Sequence, residues 1–204
     1  VGPGMASADQ VRGLAALEAQ RVALATASSA FARVPDLISS ARTQARDRGD
    51  VSGDASLAIC EAALRDREPG SDARWRHAFE SAVEARLLGL AVAAATRLDL
   101  AALAEGRVTA VLETAPRIAE LAAEVGDVDA QIAALGDEAL IWCQTLEGRE
   151  RAHELVERAQ LIAGDNSMRT LRVSLLDAQV RERTGDEPGA RKLCREIMQY
   201  GADL

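Results

Sequence analysis

Aromatic residues and strand-like patterns are scarce in this sequence. Phe, Trp and Tyr make up 2% of the 204 residues, although 48% are hydrophobic, so the core must be built from Ala, Leu, Val and Ile. Alternating runs of Val, Ile, Thr and Tyr, the usual sign of β-strands, do not occur. Ala and Leu are the best helix formers. These absences argue against a β-rich fold and predict an all-α protein.

A basic excess and a long apolar run are also missing. The chain has 32 acidic and 24 basic residues and a net charge of −8, which disfavours nucleic-acid binding. The longest apolar run, Leu87–Ala95, is bracketed by Arg86 and Arg97 and is far shorter than the ~20 residues that span a membrane. No signal peptide is recognisable. Residues 1–4 are interpreted as a cloning remnant, and a cytoplasmic protein without nucleic-acid or membrane partners is expected.

Motifs for catalysis or for metal and cofactor binding are absent. The two histidines, His77 and His153, have no second His or Cys at ligand spacing. Cys60, Cys143 and Cys194 form no CxxC pair, and each lies in a helical pattern where a free Cys is usually a small buried hydrophobe. No hydrolase, metalloprotease, P-loop or dinucleotide-binding motif occurs, and no acid–base pair in an apolar pocket is evident. We therefore expect no cofactor, no metal site and no enzymatic activity.

The N-terminal third reads as helices separated by polar turns. One apolar seam runs from Ser7 to Pro35, a second helix begins at Pro35, and a third covers Ser52–Asp66. The clearest break is "REPGSD", after which Ser71 or Asp72 caps a long helix that continues to Leu90. This organisation predicts a helical segment at residues 5–70 and a repeat domain at residues 71–204, with about seven to nine helices in all.

Small residues recur in pairs in the second half of the chain. A spacing of seven places both members of a pair on one helix face, two turns apart, where a neighbouring helix can approach closely. Successive pairs are offset by 37 and then 38 residues, and each is preceded by a second helical stretch. The pairs are Ala115 with Ala122, Ala152 with Ala159, and Ala190 with Ile197.

Polar turns separate the members of this repeat. Gly is suited to the left-handed C-cap, and Asp165 or Asp186 is expected to cap the helix that follows. Pro116 is expected to interrupt the first unit unless Thr114 caps a fresh helix there. The pattern predicts a helix–turn–helix unit that is repeated about three times.

This period resembles that of tetratricopeptide-type (TPR) repeats, whose standard length is ~34 residues. The resemblance is carried by the turn Gly185–Asp186 and by Ala178 and Ala190, twelve positions apart. The stretch Glu120–Asp165 resembles the longer, degenerate repeats of bacterial maltose-type and LuxR-type ATP-dependent regulators.

The resemblance extends over residues 86–204. It implies antiparallel hairpins stacked as a right-handed α-solenoid, with a less regular N-terminal helical part. The sequence departs from the pattern at Ser174, Asp177 and Arg181, where the register has large apolar residues.

Candidate binding residues lie on the helix predicted for residues 166–184. Two apolar stripes leave two polar strips, one with Arg172, Gln179 and Arg183, and one with Thr170, Ser174, Asp177 and Arg181. Counting from Ala178 as in tetratricopeptide repeats assigns the first strip to a groove, where two guanidinium groups would suit a carboxylate or phosphate; alignment of the preceding repeat favours the second strip. Trp142 is a further groove candidate, with packing as the alternative.

The sequence leaves more than one function open. The favoured hypothesis is an interaction module that presents a groove to a protein or peptide, including an acidic one, or to another copy of the protein. It would be complete in itself or the interaction part of a bacterial regulator. The alternative is a sensor domain that binds a small effector and controls a separate output domain; an enzyme on a helical bundle is the third.

Overall fold

A computed structural model of the protein describes residues 34–202, and that part of the chain is entirely helical apart from its turns. The all-α prediction is confirmed over this range, which contains nine helices. The helix predicted from Ser7 to Pro35 and the proposed remnant at residues 1–4 lie outside the described residues, except for the end of that helix. The helices are α1 (Val34–Asp47), α2 (Val51–Leu64), α3 (Ser71–Glu84), α4 (Leu88–Ala104), α5 (Val108–Val125), α6 (Val128–Trp142), α7 (Arg149–Ala163), α8 (Ser167–Thr184) and α9 (Glu187–Ala202).

The chain divides into two compact units, Val1–Ala95 and Thr96–Leu204, and the division falls within α4. The boundary expected from the sequence, between residues 70 and 71, lies in the loop between α2 and α3, inside the first unit. The assignment of a repeat domain to residues 71–204 stays a prediction.

In the first unit, α1 packs against α2 and α2 packs against α3. Val34, Ile38 and Leu57 form the buried cluster between α1 and α2, with Cys60 at its edge. Helices α1 and α3 begin 37 positions apart, at Val34 and Ser71, and α2 and α4 also begin 37 apart, at Val51 and Leu88. The period of 37 residues therefore also occurs before residue 72, where the sequence itself shows no repeat.

In the second unit each helix from α5 to α9 packs against its neighbour in the chain, so the helices form antiparallel hairpins. Helix α6 also contacts α8 directly, whereas no such contact joins α5 to α7, both of which the structure describes throughout. We call α4, α6 and α8 the first row and α5, α7 and α9 the second row. Because helices lie closer together on the inside of a bend, the first row is the concave side of this unit.

The small residues of the repeat lie where the rows pack together. Ala115, Ala122, Ala152 and Ala159 are 0–1% exposed, and Ala190 is buried as well. Without side chains beyond Cβ, they allow the helix backbones to approach closely. The prediction of tightly packed small-residue pairs is confirmed for the four alanines of α5 and α7.

The turns between helices use one bond pattern repeatedly. Gly126 and Gly185 both have positive φ, and the next residue donates its backbone N–H to the carbonyl five positions earlier: Asp127 to Ala122 and Asp186 to Arg181, each at 2.8 Å. This pattern is the Schellman motif, which satisfies carbonyls at a helix end. The same pattern recurs at Gly49 and Gly106.

One expected helix cap and the extent of one expected helix are revised by the structure. Asn166, rather than Asp165, caps α8: its side-chain oxygen accepts the backbone N–H of Arg169 at 3.1 Å. The long helix expected from Ser71 to Leu90 is wrong, because Arg86 adopts a left-handed conformation with φ of 55° and separates α3 from α4. The backbone N–H of Leu87 donates to the carbonyl of Ala82 at 2.9 Å, so a Schellman-type turn forms here without glycine.

Pro116 does not interrupt its helix. Helix α5 runs continuously from Val108 to Val125 with the proline inside it. Thr114 does not cap a new helix; its hydroxyl lies 2.9 Å from the Ala110 carbonyl and 2.6 Å from the side chain of Asp99 on α4. Packing against α4 and α6 therefore outweighs the cost of one missing backbone hydrogen bond.

Candidate interaction surface on helix α8

Arg172 and Arg183 extend from α8 toward α6. Arg172 Nη1 lies 3.3 Å from Asp129 Oδ1, and Arg169 Nη2 lies 3.1 Å from Asp129 Oδ2. The side chains of Arg172 and Asp129 are 64% and 51% exposed, so this contact is a solvated ion pair on the surface. The hydrogen bond from Arg169 holds the pKa of Asp129 below its usual value.

Arg183 differs from Arg172 in its partner. Its Nη1 donates to the backbone carbonyl of Leu140 on α6 at 3.4 Å, and no carboxylate of the described chain pairs with it. Gln179 is exposed between the two arginines along the helix. We call Arg172, Gln179 and Arg183 the α8 strip; it lies on the first row and keeps one positive charge without an anionic partner.

The opposite strip of α8 is built into the fold at Asp177 and Arg181. Asp177 is buried, and its carboxylate accepts hydrogen bonds from Arg181 Nε at 2.8 Å and from Gln160 Nε2 of α7 at 3.5 Å. Thr184 lies 3.4 Å from His153 of α7. Asp177 and Arg181, two of the polar residues that depart from the repeat pattern, are therefore tolerated because they bond to each other and Asp177 also bonds to α7.

A groove of about 980 Å³ runs between α8 and α9 beside the α8 strip. It combines apolar side chains with charged ones at the rim, and Leu175 and Met198 in it are 45% and 68% exposed. Gln179 belongs to both the groove and the α8 strip. A smaller groove of about 280 Å³, lined by Thr170, Ser174 and Ile197 among others, lies elsewhere along the two helices.

Trp142 has contacts inside the fold. Its Nε1 donates to Glu138 Oε1 at 3.3 Å, and Glu138, which is buried, also pairs with Arg151 of α7 at 3.4 Å. The indole lies against Gly148 in the turn between α6 and α7, where a Cβ would come within 2.9 Å of Trp142 Cε3. These contacts give Trp142 a packing role, and its role in binding stays a prediction.

Several basic residues of α8 and α9 are paired with carboxylates. Arg181 pairs with Asp177 and Asp186, Arg191 with Glu187, and Lys192 with Glu196. A backbone hydrogen bond from Gly189 and then the guanidinium of Arg181 lower the pKa of Asp186. Arg183 of the α8 strip differs from these residues because no carboxylate of the described chain pairs with it.

The histidines and cysteines have structural surroundings. His77 Nε2 lies 2.8 Å from Arg42 Nη2, and His153 contacts Thr184. Burial raises the pKa of the Cys60 thiol, and Cys143 donates its S–H to the Leu140 carbonyl at 3.1 Å. The expectation of a buried cysteine is wrong for Cys194, which is exposed and lines the large groove.

No group of three or more His, Cys, Asp or Glu side chains that could hold a metal ion occurs among residues 34–202. In the same range no helix is both long and apolar enough to cross a membrane.

Two carboxyl groups that sequence reasoning missed meet in the second unit. Asp99 on α4 is 1% exposed, and the half-buried Asp137 on α6 lies close enough that each carboxyl group affects the pKa of the other. Neither residue was predicted from the sequence to be part of a carboxyl pair. Their spacing of 38 residues, which is one repeat length, was the signal that could have revealed the pair. Each acidic residue taken alone looks like a surface position.

Stacked antiparallel hairpins with a bending first row define the class of TPR-like helical repeat folds. Two crystal structures of a Podosopora anserina protein with nearly identical TPR-like repeats, provisionally assigned as a kinesin light chain, share this fold. Each has a TM-score of 0.59 and covers 98% of both chains, with 13% and 14% sequence identity. No family model matches the chain, and no curated protein matches it. At such low sequence identity, the similarity to these structures supports the fold alone.

Proposed function

We propose that the protein is a non-catalytic interaction scaffold that binds a protein or peptide partner on the first row of its second unit. The observation that carries the proposal is the α8 strip: Arg172, Gln179 and Arg183 are exposed side by side on the concave row, while Asp177 of the opposite strip is bonded to Gln160 of α7 and to Arg181. Concave rows of repeat folds provide large surfaces and little chemistry.

The chemistry of the strip favours an acidic partner. Arg183 has a backbone carbonyl as its α6 partner and can offer the remaining N–H groups to a carboxylate. Arg172 already pairs with the Asp129 carboxylate. An incoming carboxylate would displace Asp129 from this pair or share Arg172 with it. The neighbouring groove adds the exposed apolar surface of Leu175 and Met198, so an acidic segment with apolar residues fits best.

A small-molecule sensor is less well supported. Such a function needs an enclosed apolar cavity with convergent polar groups. The two grooves along α8 and α9 are lined by exposed side chains, among them Leu175, Glu182 and Arg195, and are open to solvent. An open groove suits an extended or helical polypeptide.

The finer parts of the proposal rest on the resemblance of Glu120–Asp165 to bacterial regulators. From it we infer that the chain serves as the interaction part of such a regulator in the bacterial cytoplasm, with a second copy of the protein as an alternative partner. Native mass spectrometry of the purified protein tests the last point.

A comparative capture experiment tests the proposed function. Immobilised wild-type protein, the Arg172→Ala/Arg183→Ala variant and an Arg158→Ala control are exposed to the same native extract, and bound proteins are compared quantitatively. Arg158 is exposed on α7, in the second row. Arg181 is unsuitable as a control because it pairs with buried Asp177. We expect partners retained by wild type and the control but lost by the double variant; equal capture by all three would contradict the proposal.

A further inference from the structure

Asp99 is held in place at one oxygen only. It lies on α4 within the second unit, and its Oδ1 accepts the hydroxyl of Thr114 on α5 at 2.6 Å. Its other oxygen, Oδ2, is buried and receives no hydrogen bond from an N–H or hydroxyl group. A buried carboxylate oxygen without a donor is costly, so a proton is expected to come from elsewhere.

The group placed to supply that proton is the carboxyl of Asp137 on α6. Ala102 of α4 and Ile141 of α6, one turn beyond the two aspartates, pack in one buried cluster, and the two carboxyl groups are close enough to shift each other's pKa. Two carboxyl groups can form a hydrogen bond to each other only when one of them is protonated. Burial, followed by the negative charge of Asp99, raises the pKa of Asp137 to about 7. Burial also raises the pKa of Asp99.

Other charged groups lie on the helices packed around the pair. Arg97 precedes Asp99 by two positions on α4, and Glu113 and Arg117 flank Thr114 on α5. On α6, Glu138 is bonded to Trp142 and Arg151, and Arg183 of α8 bonds to the Leu140 carbonyl. The shifts of the two aspartates arise from burial, from Thr114 and from each other.

We propose that Asp99 and Asp137 share one proton at neutral pH and that this proton joins the first-row helices α4 and α6 as a pH-sensitive joint between successive repeats. With the proton present, Asp137 donates its O–H to Asp99 and both carboxyl groups are satisfied. When the proton leaves to solvent, two carboxylates, one buried and one half-buried, face each other and repel. The inference is independent of the proposed binding function.

The direction of the pH dependence follows from the raised pKa. Between the unfolded pKa, near 4, and the folded pKa of about 7, the folded protein holds more protons than the unfolded chain. The stability that the pair contributes is therefore fully present below pH 4 and is lost as the pH rises to 7 and beyond. From pH 5.5 to pH 8.0 the folding equilibrium constant of the second unit is expected to fall about 30-fold through this pair.

Denaturant unfolding at pH 5.5 and pH 8.0 tests the joint, with wild type compared with Asp137→Asn. An Asn side chain can donate an N–H to Asp99 at both pH values, so the variant is expected to lose most of the pH dependence and to exceed wild type at pH 8.0. His77 and His153 are present in both proteins, and their contributions cancel in the comparison. Parallel pH dependences in the two proteins would overturn the proposal.

A second measurement does not depend on the variant folding. Carboxyl carbon resonances of the aspartates in folded wild-type protein are followed by NMR from pH 4 to pH 9. One resonance of the pair is expected to titrate near pH 7. The control is the Asp129→Asn variant, which lacks the Asp129 resonance and should keep the titration near pH 7 unchanged. If every aspartate titrates below pH 5, the pair does not share a proton.

Discussion

Leu176 of α8 lies directly over Gly136 of α6. The two methyl carbons of Leu176 are 3.3 and 3.6 Å from the position that a Cβ of residue 136 would occupy. Gly136 is buried, so the absence of its side chain sets how closely the two first-row helices approach. Asp129 and Leu140, which contact the arginines of α8, lie on either side of this point along α6.

Gly136→Val is expected to push α8 away from α6. The added methyl groups overlap Leu176, and overpacking of this kind typically costs about 1–3 kcal/mol, which outweighs any helix-propensity gain. The free energy of unfolding, measured by chemical denaturation, checks the cost. In the double variant Gly136→Val/Leu176→Ala the two effects should be clearly less than additive, because the second change removes the overlap. Additive costs would mean that the two residues are not in contact.

Ala159→Leu is expected to destabilise the second unit by about 1–3 kcal/mol because Ala159 is fully buried between helices. The control is Ala123→Leu, the same change at an exposed position of α5, which should alter stability little. Thermal and denaturant unfolding of both variants provide the measurement. An unchanged midpoint for Ala159→Leu would show that the repeat register is wrong.

Asn166→Ala is expected to cost about 0.5–2 kcal/mol because it removes the side-chain acceptor for the Arg169 N–H at the start of α8. Asp165→Ala, one residue earlier, should have little effect because the Asp165 side chain is exposed and is not the cap. Comparison of the two free energies of unfolding distinguishes them. A larger loss for Asp165→Ala would restore the cap expected from the sequence.

Local signals were enough to predict most of the fold. Small residues seven apart and Gly–Asp turns specify helix faces and ends directly, and they located the hairpins from Thr114 onward. The break at Arg86 was not predictable in this way, because a left-handed C-cap without glycine has no compositional sign. Its position, 37 residues after Gly49, becomes meaningful only once the first hairpins are known to repeat.

The candidate surface was predicted in part. The helical wheel of α8 placed Arg172, Gln179 and Arg183 in one strip, since that depends only on spacing within one helix. Which strip is bonded into the fold depends on contacts with α7, such as that between Asp177 and Gln160. The Asp99–Asp137 pair depends on the packing of helices 38 residues apart, which no local pattern specifies.

Isothermal titration of a 12-residue peptide of alternating Glu and Leu tests the central claim, that the α8 strip binds acidic polypeptide, most directly. Wild type is expected to bind the peptide, and Arg172→Ala and Arg183→Ala should each weaken binding by more than about 1 kcal/mol, the usual threshold for an important interface residue. Arg158→Ala and a peptide of alternating Lys and Leu serve as controls for surface charge and for peptide sequence. Failure of wild type to bind the acidic peptide, or equal affinity in wild type and both strip variants, would contradict the account.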